Sequence, residues 1–216
     1  MSRKRKAPKA EPEEDWRSTL FFWRGELSEG AWAGTWVGTL DPAAPTAAQH
    51  AASAATFSAA LAPPAGPDAL QGLACAVASR YQLDQGDGAG LQEYTDEEHH
   101  LVVAAAAAAA GAASAPAAAA GANNFGAFVS VGRVVAGGAE GAPAVLTLAR
   151  RYVRKGDARA SLRGEQGARA VLEQYARAGG GAEPAWQEAL PLFVPAARKG
   201  AKKGASESDA PPVKLE

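Results

Sequence analysis

The chain has 216 residues and a formal net charge of −1, long enough for one sizeable core and too nearly neutral to behave as a polyelectrolyte. Its one cysteine, Cys75, excludes an internal disulfide framework and, on an apolar strand face, reads as a buried inert thiol. No apolar run has the length and bulk of a membrane-spanning helix, so no membrane partner is expected, and the charged N-terminus has no hydrophobic segment behind it, as a secretory signal requires.

Residues 1–15 read as a disordered tail. Arg3, Lys4, Arg5, Lys6 and Lys9 form a basic head, and Glu11, Glu13, Glu14 and Asp15 form an acidic block. The stretch Arg17–Leu40 holds three of the five tryptophans and predicts a β-hairpin. Its first strand, Ser18–Leu27, is apolar on both faces around Phe21, Phe22 and Trp23, as in a strand covered on both sides. Ser28, Glu29 and Gly30 supply the turn. In the second strand Trp32, Gly34, Trp36, Gly38 and Leu40 share one face. Glycines beside large rings leave room for an indole to lie flat and ease the coiling of a small barrel.

Asp41–Ala55 reads as an alanine- and proline-rich connection. A short strand follows at Thr56–Leu61. The clearest alternation in the chain sets Leu73, Cys75, Val77, Ser79, Tyr81 and Leu83 on one face, with Ala74, Ala76, Ala78, Arg80 and Gln82 on the other. Two further extended stretches are expected at Leu91–Tyr94 and His99–Val103. The segment 104–122 is alanine-rich, has no polar face and carries Gly and Pro, so it reads as a low-complexity, poorly ordered hairpin loop. Strands follow at Phe125–Val134 and Ala144–Val153, the latter with Leu146, Leu148, Arg150 and Tyr152 on one face. Ala168, Val171, Leu172 and Tyr175 then recur at helical spacing, which predicts a helix over about 164–178.

The expected architecture is mainly β: one antiparallel up-and-down sheet of seven or eight strands, barrel-like or strongly curved, over residues 16–160. A helical segment (161–194) and a disordered tail (195–216) complete the chain.

No arrangement of residues declares an enzyme. His99 and His100 follow Asp96, Glu97 and Glu98, but neighbours in a strand point to opposite faces and no spaced ligand set completes a metal site. This cluster reads as a solvated strand entrance, and its carboxylates lack the apolar surroundings that would raise a pKa. Asp84 and Asp87 lack the remaining ligands of a calcium loop. His50 sits in a linker of small residues, a poor place to fix a base. No G-x-S-x-G turn or phosphate-cradling glycine loop is present, and no cofactor is called for.

Three features carry functional expectations. Arg3-Lys4-Arg5-Lys6 reads as a nuclear import signal, a solubilising run or a nucleic-acid contact, with Arg198, Lys199, Lys202 and Lys203 as a second basic group. Arg150, Arg151, Tyr152, Arg154 and Lys155 form a basic strand-end patch that could stack nucleic-acid bases, or whose arginines could pack on an indole. Trp23, Trp32 and Trp36 form either an aromatic core or the lining of a ligand cavity. Gly34-Thr35-Trp36 resembles the G-x-W signature of lipocalin-type barrels, in which a late arginine packs over the tryptophan; Arg150 or Arg151 would match. That resemblance covers three residues and one arginine, places the motif on the second strand rather than the first, and assigns no family. It implies a calyx.

The leading expectation is a non-enzymatic, nuclear or else cytoplasmic, protein-interaction module. The alternatives are a calyx-like barrel binding a small apolar ligand in an aromatic cavity, and a nucleic-acid binder acting through Arg150–Lys155. The calyx reading predicts a pocket beside Gly34 and Gly38.

Overall fold

The computed structural model describes residues 16–28, 30–41, 43–63, 72–84, 90–105, 114–139, 141–154 and 156–178. The tails, including Arg3–Lys6 and the Arg198–Lys203 group, lie outside the described residues, as do residues 179–194 of the expected helical segment. After a short 3-10 turn (Trp16–Ser18) the strands are β1 (Leu20–Ser28), β2 (Ala31–Thr39), β3 (Thr56–Ala62), β4 (Leu73–Asp84), β5 (Leu91–Thr95), β6 (Glu98–Val103), β7 (Ser114–Asn123), β8 (Gly126–Val135) and β9 (Ala144–Tyr152). The helices are α1 (Ala47–Ala52) and α2 (Gly164–Arg177).

All pairings are antiparallel, in the order β3-β2-β1-β9-β8-β7-β6-β4, and β3 also pairs with β4. The sheet therefore closes into an eight-stranded barrel, with β5 as an extra strand on β4. At twelve residues, β4 is long enough to pair with β6 at one end and β5 at the other. Closure gives each of these eight strands a partner on both sides, and among the described strands β5 alone has a partner on one side only, which suits an up-and-down meander.

Eight strands leave an interior just wide enough for side chains or one small ligand. Alternation sends Trp23, Leu27, Trp32, Phe57, Leu61, Val77, Leu101, Val103, Val134, Leu146 and Leu148 inward, where they pack as one apolar cluster. Gly25 and Gly34 face each other across β1 and β2. A methyl group on Gly25 would collide with the Ala33 carbonyl, and one on Gly34 with the Arg24 carbonyl. These glycines permit the close, coiled approach of the first two strands.

The outer wall is covered in two places. Helix α2 presents Ala168, Val171 and Tyr175 to a second apolar cluster that contains Val102, Ala118, Ala120, Val129, Val131 and Phe22. The connection between β2 and β3 also folds back on the wall. It carries α1, whose capping box joins Thr46 and Gln49. The Thr35 hydroxyl donates to the His50 carbonyl at 2.9 Å, the Ser53 hydroxyl donates to the Trp36 carbonyl at 2.7 Å, and Ala44 packs on the cluster that buries Phe22. This explains why β1 is apolar on both faces. His50 is thus buried, with Nδ1 3.4 Å from the Thr35 hydroxyl, rather than loose in a linker.

The alanine-rich segment is the main correction to the fold expectation. Ser114–Asn123 is a strand paired on both sides, while residues 106–113 lie outside the described part. Ala115, Ala117 and Ala119 face the ring-filled interior, and Ala118 and Ala120 lie in the cluster under α2. Both faces are covered by bulkier partners, so small residues fit on both and the polar alternation expected of a strand disappears. Pro116 falls where its partner strand β6 has already ended, so its missing N–H costs little on that side.

Candidate functional site at the open end of the barrel

Register places Arg150 opposite Phe21 of β1 and Ser130 of β8, pointing inward near one end of the barrel. Arg150 is 2 % exposed. Its two terminal nitrogens donate to the two oxygens of Asp96, at 3.2 and 2.8 Å, a bidentate pairing that fixes the guanidinium plane. The guanidinium carbon lies 4.4 Å from the Trp23 ring centroid and 3.7 Å from that of Phe128, so aromatic faces also cover the cation.

Asp96 lies between β5 and β6, where the chain passes from one half of β4 to the other. Its N–H donates to the Ser79 carbonyl at 3.3 Å, and the Ser79 hydroxyl donates back to Oδ2 at 2.6 Å. Asn123 Nδ2 lies 2.9 Å from Asp96 Oδ1, 2.9 Å from the Tyr81 hydroxyl and 2.8 Å from the Tyr152 hydroxyl. An amide nitrogen has two hydrogens, so one of the three contacts is shared. Asn123 Oδ1 accepts from the Phe125 N–H at 2.9 Å, which sets the direction of the amide. His99 Nδ1 is 3.2 Å from Asp96 Oδ2.

The ionisation states follow from these contacts. Burial pushes the Asp96 carboxyl up, but Arg150 and His99 outweigh it and hold the carboxyl far below its ordinary range. Burial acts to lower the Arg150 pKa, while Asp96 and Tyr152 more than reverse it. Burial lowers the His99 pKa against the pull of Asp96, which keeps the ring neutral at pH 7. Burial, with Tyr152 and Asp96 nearby, raises Tyr81. The cluster is therefore an ion pair of Asp96 and Arg150 with a neutral His99 and a protonated Tyr81 beside it.

Above it a cavity of about 350 Å³ opens at the barrel mouth, lined by Phe21, Trp23, Trp36, Tyr81, Leu83, Phe125, Arg150 and Tyr152. Phe21 and Tyr152 meet edge-to-face at 5.8 Å, Phe21 and Trp36 are tilted at 5.9 Å, and Trp23 and Trp36 lie nearly parallel at 6.0 Å. The indole nitrogens of Trp23 and Trp36 are buried in the wall without a hydrogen-bond partner among the described residues. The cavity surface is thus mostly ring face.

Of the three tryptophans singled out from the sequence, Trp23 and Trp36 line this cavity. Trp32 does not: it packs in the filled part of the interior, 4.6 Å from Phe57. Gly38 sits at the mouth, with the Phe21 ring 3.4 Å from where its Cβ would be. Gly34 lies away from the cavity, against Gly25 and Arg24. The arginine over an indole covers Trp23, not the Trp36 of the G-x-W triplet.

The strand-end patch does not form one surface. Alternation turns Arg150 and Tyr152 into the barrel and leaves Arg151 on the outer wall, where its Nε donates to the Arg17 carbonyl at 3.2 Å. Arg154 is exposed and donates to the Ser18 hydroxyl at 3.3 Å, and Lys155 lies outside the described residues. Of the Asp96–His100 run only Glu97 and Glu98 are exposed as a solvated entrance would be, whereas Asp96 and His99 are buried core groups. Asp96, His99, Ser79 and Asn123 were missed as a set. The near-strict face containing Ser79 and Tyr81 held part of the signal, but only barrel closure brings Asn123 and Arg150 to Asp96.

Cys75 is buried, and burial pushes its thiol up to about 11, which makes it a poor nucleophile. No group of three or more metal-ligating side chains occurs among the described residues. No helix among the described residues is long and apolar enough to cross a membrane. Comparison with protein-family models, curated proteins and solved structures returns no match, so the site's own chemistry carries the functional reading.

Proposed function

We propose that the protein is a calyx that binds a small apolar ligand at the open end of its barrel. The observation that carries this reading is the aromatic-lined cavity of about 350 Å³, within the size range of small-molecule sites, roughly 300–1,000 Å³. A barrel this small can fill itself, and at its other end apolar side chains pack together as one cluster. Binding rather than turnover is the role these groups favour. Tyr81 is raised by burial and Arg150 is held by Asp96, so neither exchanges a proton near neutral pH. The interaction-module reading rests on Arg3–Lys6, outside the described residues, and the nucleic-acid reading rests on a patch whose members point to opposite faces.

The test is a titration with N-phenyl-1-naphthylamine, an uncharged fluorophore, followed by energy transfer from tryptophan. Saturable one-to-one binding is expected in the wild type. Leu83→Trp, which adds bulk at the cavity wall, should abolish it while leaving the circular dichroism spectrum unchanged. Equal binding by the two proteins, or none by the wild type, would refute the calyx.

A further inference from the structure

We infer that the cavity selects an uncharged, flat, aromatic ligand and rejects anions, although a buried arginine lies in its wall. This inference rests on the calyx reading and adds the ligand's chemical class. Arg150 is the one charged residue among the described residues lining the cavity. An unpaired arginine there would mark a carboxylate or phosphate site. Here each terminal nitrogen spends one of its two N–H groups on an oxygen of Asp96, so the cation already has its counter-charge. The guanidinium carbon also lies over the rings of Trp23 and Phe128, at 4.4 and 3.7 Å from their centroids. Its Nε is buried in the wall, as are the indole nitrogens of Trp23 and Trp36.

An anion entering the cavity would therefore lose its hydration, meet no free cation and face the Asp96 carboxylate behind Arg150. Burying a charge without a partner is strongly unfavourable. A cation would meet ring faces that attract it, but the Arg150 cation lies in the same wall and the carboxylate is already satisfied by Arg150, Ser79 and Asn123, so ring contacts alone would have to replace its hydration. What the cavity does offer is ring surface from Phe21, Trp36, Phe125 and Tyr152. A further aromatic ring gains from offset-stacked or edge-on contact, and rings set at tilted and edge-on angles to one another offer it both faces and edges.

The experiment compares three naphthalene probes on the full-length protein at pH 7. They are N-phenyl-1-naphthylamine, which is neutral, 1-anilinonaphthalene-8-sulfonate, which adds a sulfonate to the same rings, and N-(1-naphthyl)ethylenediamine, which is cationic. The neutral probe is expected to bind at least about tenfold more tightly than either charged one, equivalent to about 1.4 kcal/mol. Sulfonate or ammonium binding that equals or exceeds neutral binding, and is lost in Leu83→Trp, would overturn the inference and leave the calyx standing. Failure of all three probes to bind would overturn both. A neutral preference that survives in 0.5 M NaCl supports the inference, because screening removes selectivity set by surface charge.

Discussion

At one end of the barrel Leu27, Trp32, Leu61, Val103, Val134 and Leu146 fill the interior with apolar side chains. At the other, Phe21, Trp36, Tyr81, Leu83 and Tyr152 surround open space above the Asp96–Arg150 pair. The same eight strands make both ends, so strand number does not decide whether a small barrel is full. The difference lies in what the inward positions carry. The filled end uses apolar side chains that interdigitate freely. The open end uses groups held in place by directional bonds: a bidentate arginine, an asparagine fixed by the Phe125 N–H, and two tyrosines tied to that asparagine. Side chains anchored this way cannot collapse into the space between them, so the cavity persists.

The largest expected effect tests that anchoring. Asp96→Asn would leave the Arg150 cation buried without its counter-charge, and should destabilise the protein by about 3–5 kcal/mol in urea unfolding. A loss under about 1 kcal/mol would mean that the pair does not hold the open end together. Next comes a direct contrast between the two ends. Leu146→Ala removes a side chain from the packed end and should cost about 3 kcal/mol. Leu83→Ala widens an existing cavity and should cost about 1 kcal/mol or less, because its wall is already only partly packed. Equal losses would erase the distinction between the ends.

Gly34→Ala tests the coiled approach of β1 and β2 that lies between them. The added methyl has no room against the Arg24 carbonyl, and a cost of about 2 kcal/mol is expected. A stability unchanged from wild type would show that the strands separate without penalty.

The smallest effect is in pH. Burial lowers the His99 pKa from its ordinary 6.5, and lowers that of His50 in the same direction. The unfolded chain therefore takes up these protons first, and stability falls as the pH drops below about 6.5. Each histidine contributes a slope of at most about 1.4 kcal/mol per pH unit. Asp96 is also depressed, so its contribution is complete above about pH 4 and is lost only as the pH falls toward its much lower folded value. His99→Gln should flatten the slope between pH 6.5 and 5 when unfolding is measured across that range. An unchanged slope would mean that His99 takes up its proton over the same pH range in the folded and the unfolded chain.

Much of the fold is legible in the chain because period-two alternation is local. Leu73–Leu83, Phe125–Val134 and Ala144–Val153 announce their faces without help from neighbours, and Ala168, Val171 and Tyr175 announce a helix. The alanines of Ser114–Asn123 do not, because a strand covered on both sides has no polar face to alternate with. The candidate site was half legible. Trp23 and Trp36 stood out as large rings on inward faces, whereas Asp96 and His99 sat in an acidic run that resembles a solvated one.

The residues alone determined that this chain makes an antiparallel meander with an aromatic first hairpin and a flanking helix, since strand faces, turns and helical spacing are set by neighbours in sequence. Closure, the burial of Asp96 against Arg150, and the cavity that this pair underlies were decided only by the tertiary structure. Each depends on residues separated by tens of positions, 54 in the case of Asp96 and Arg150, whose meeting no local pattern encodes.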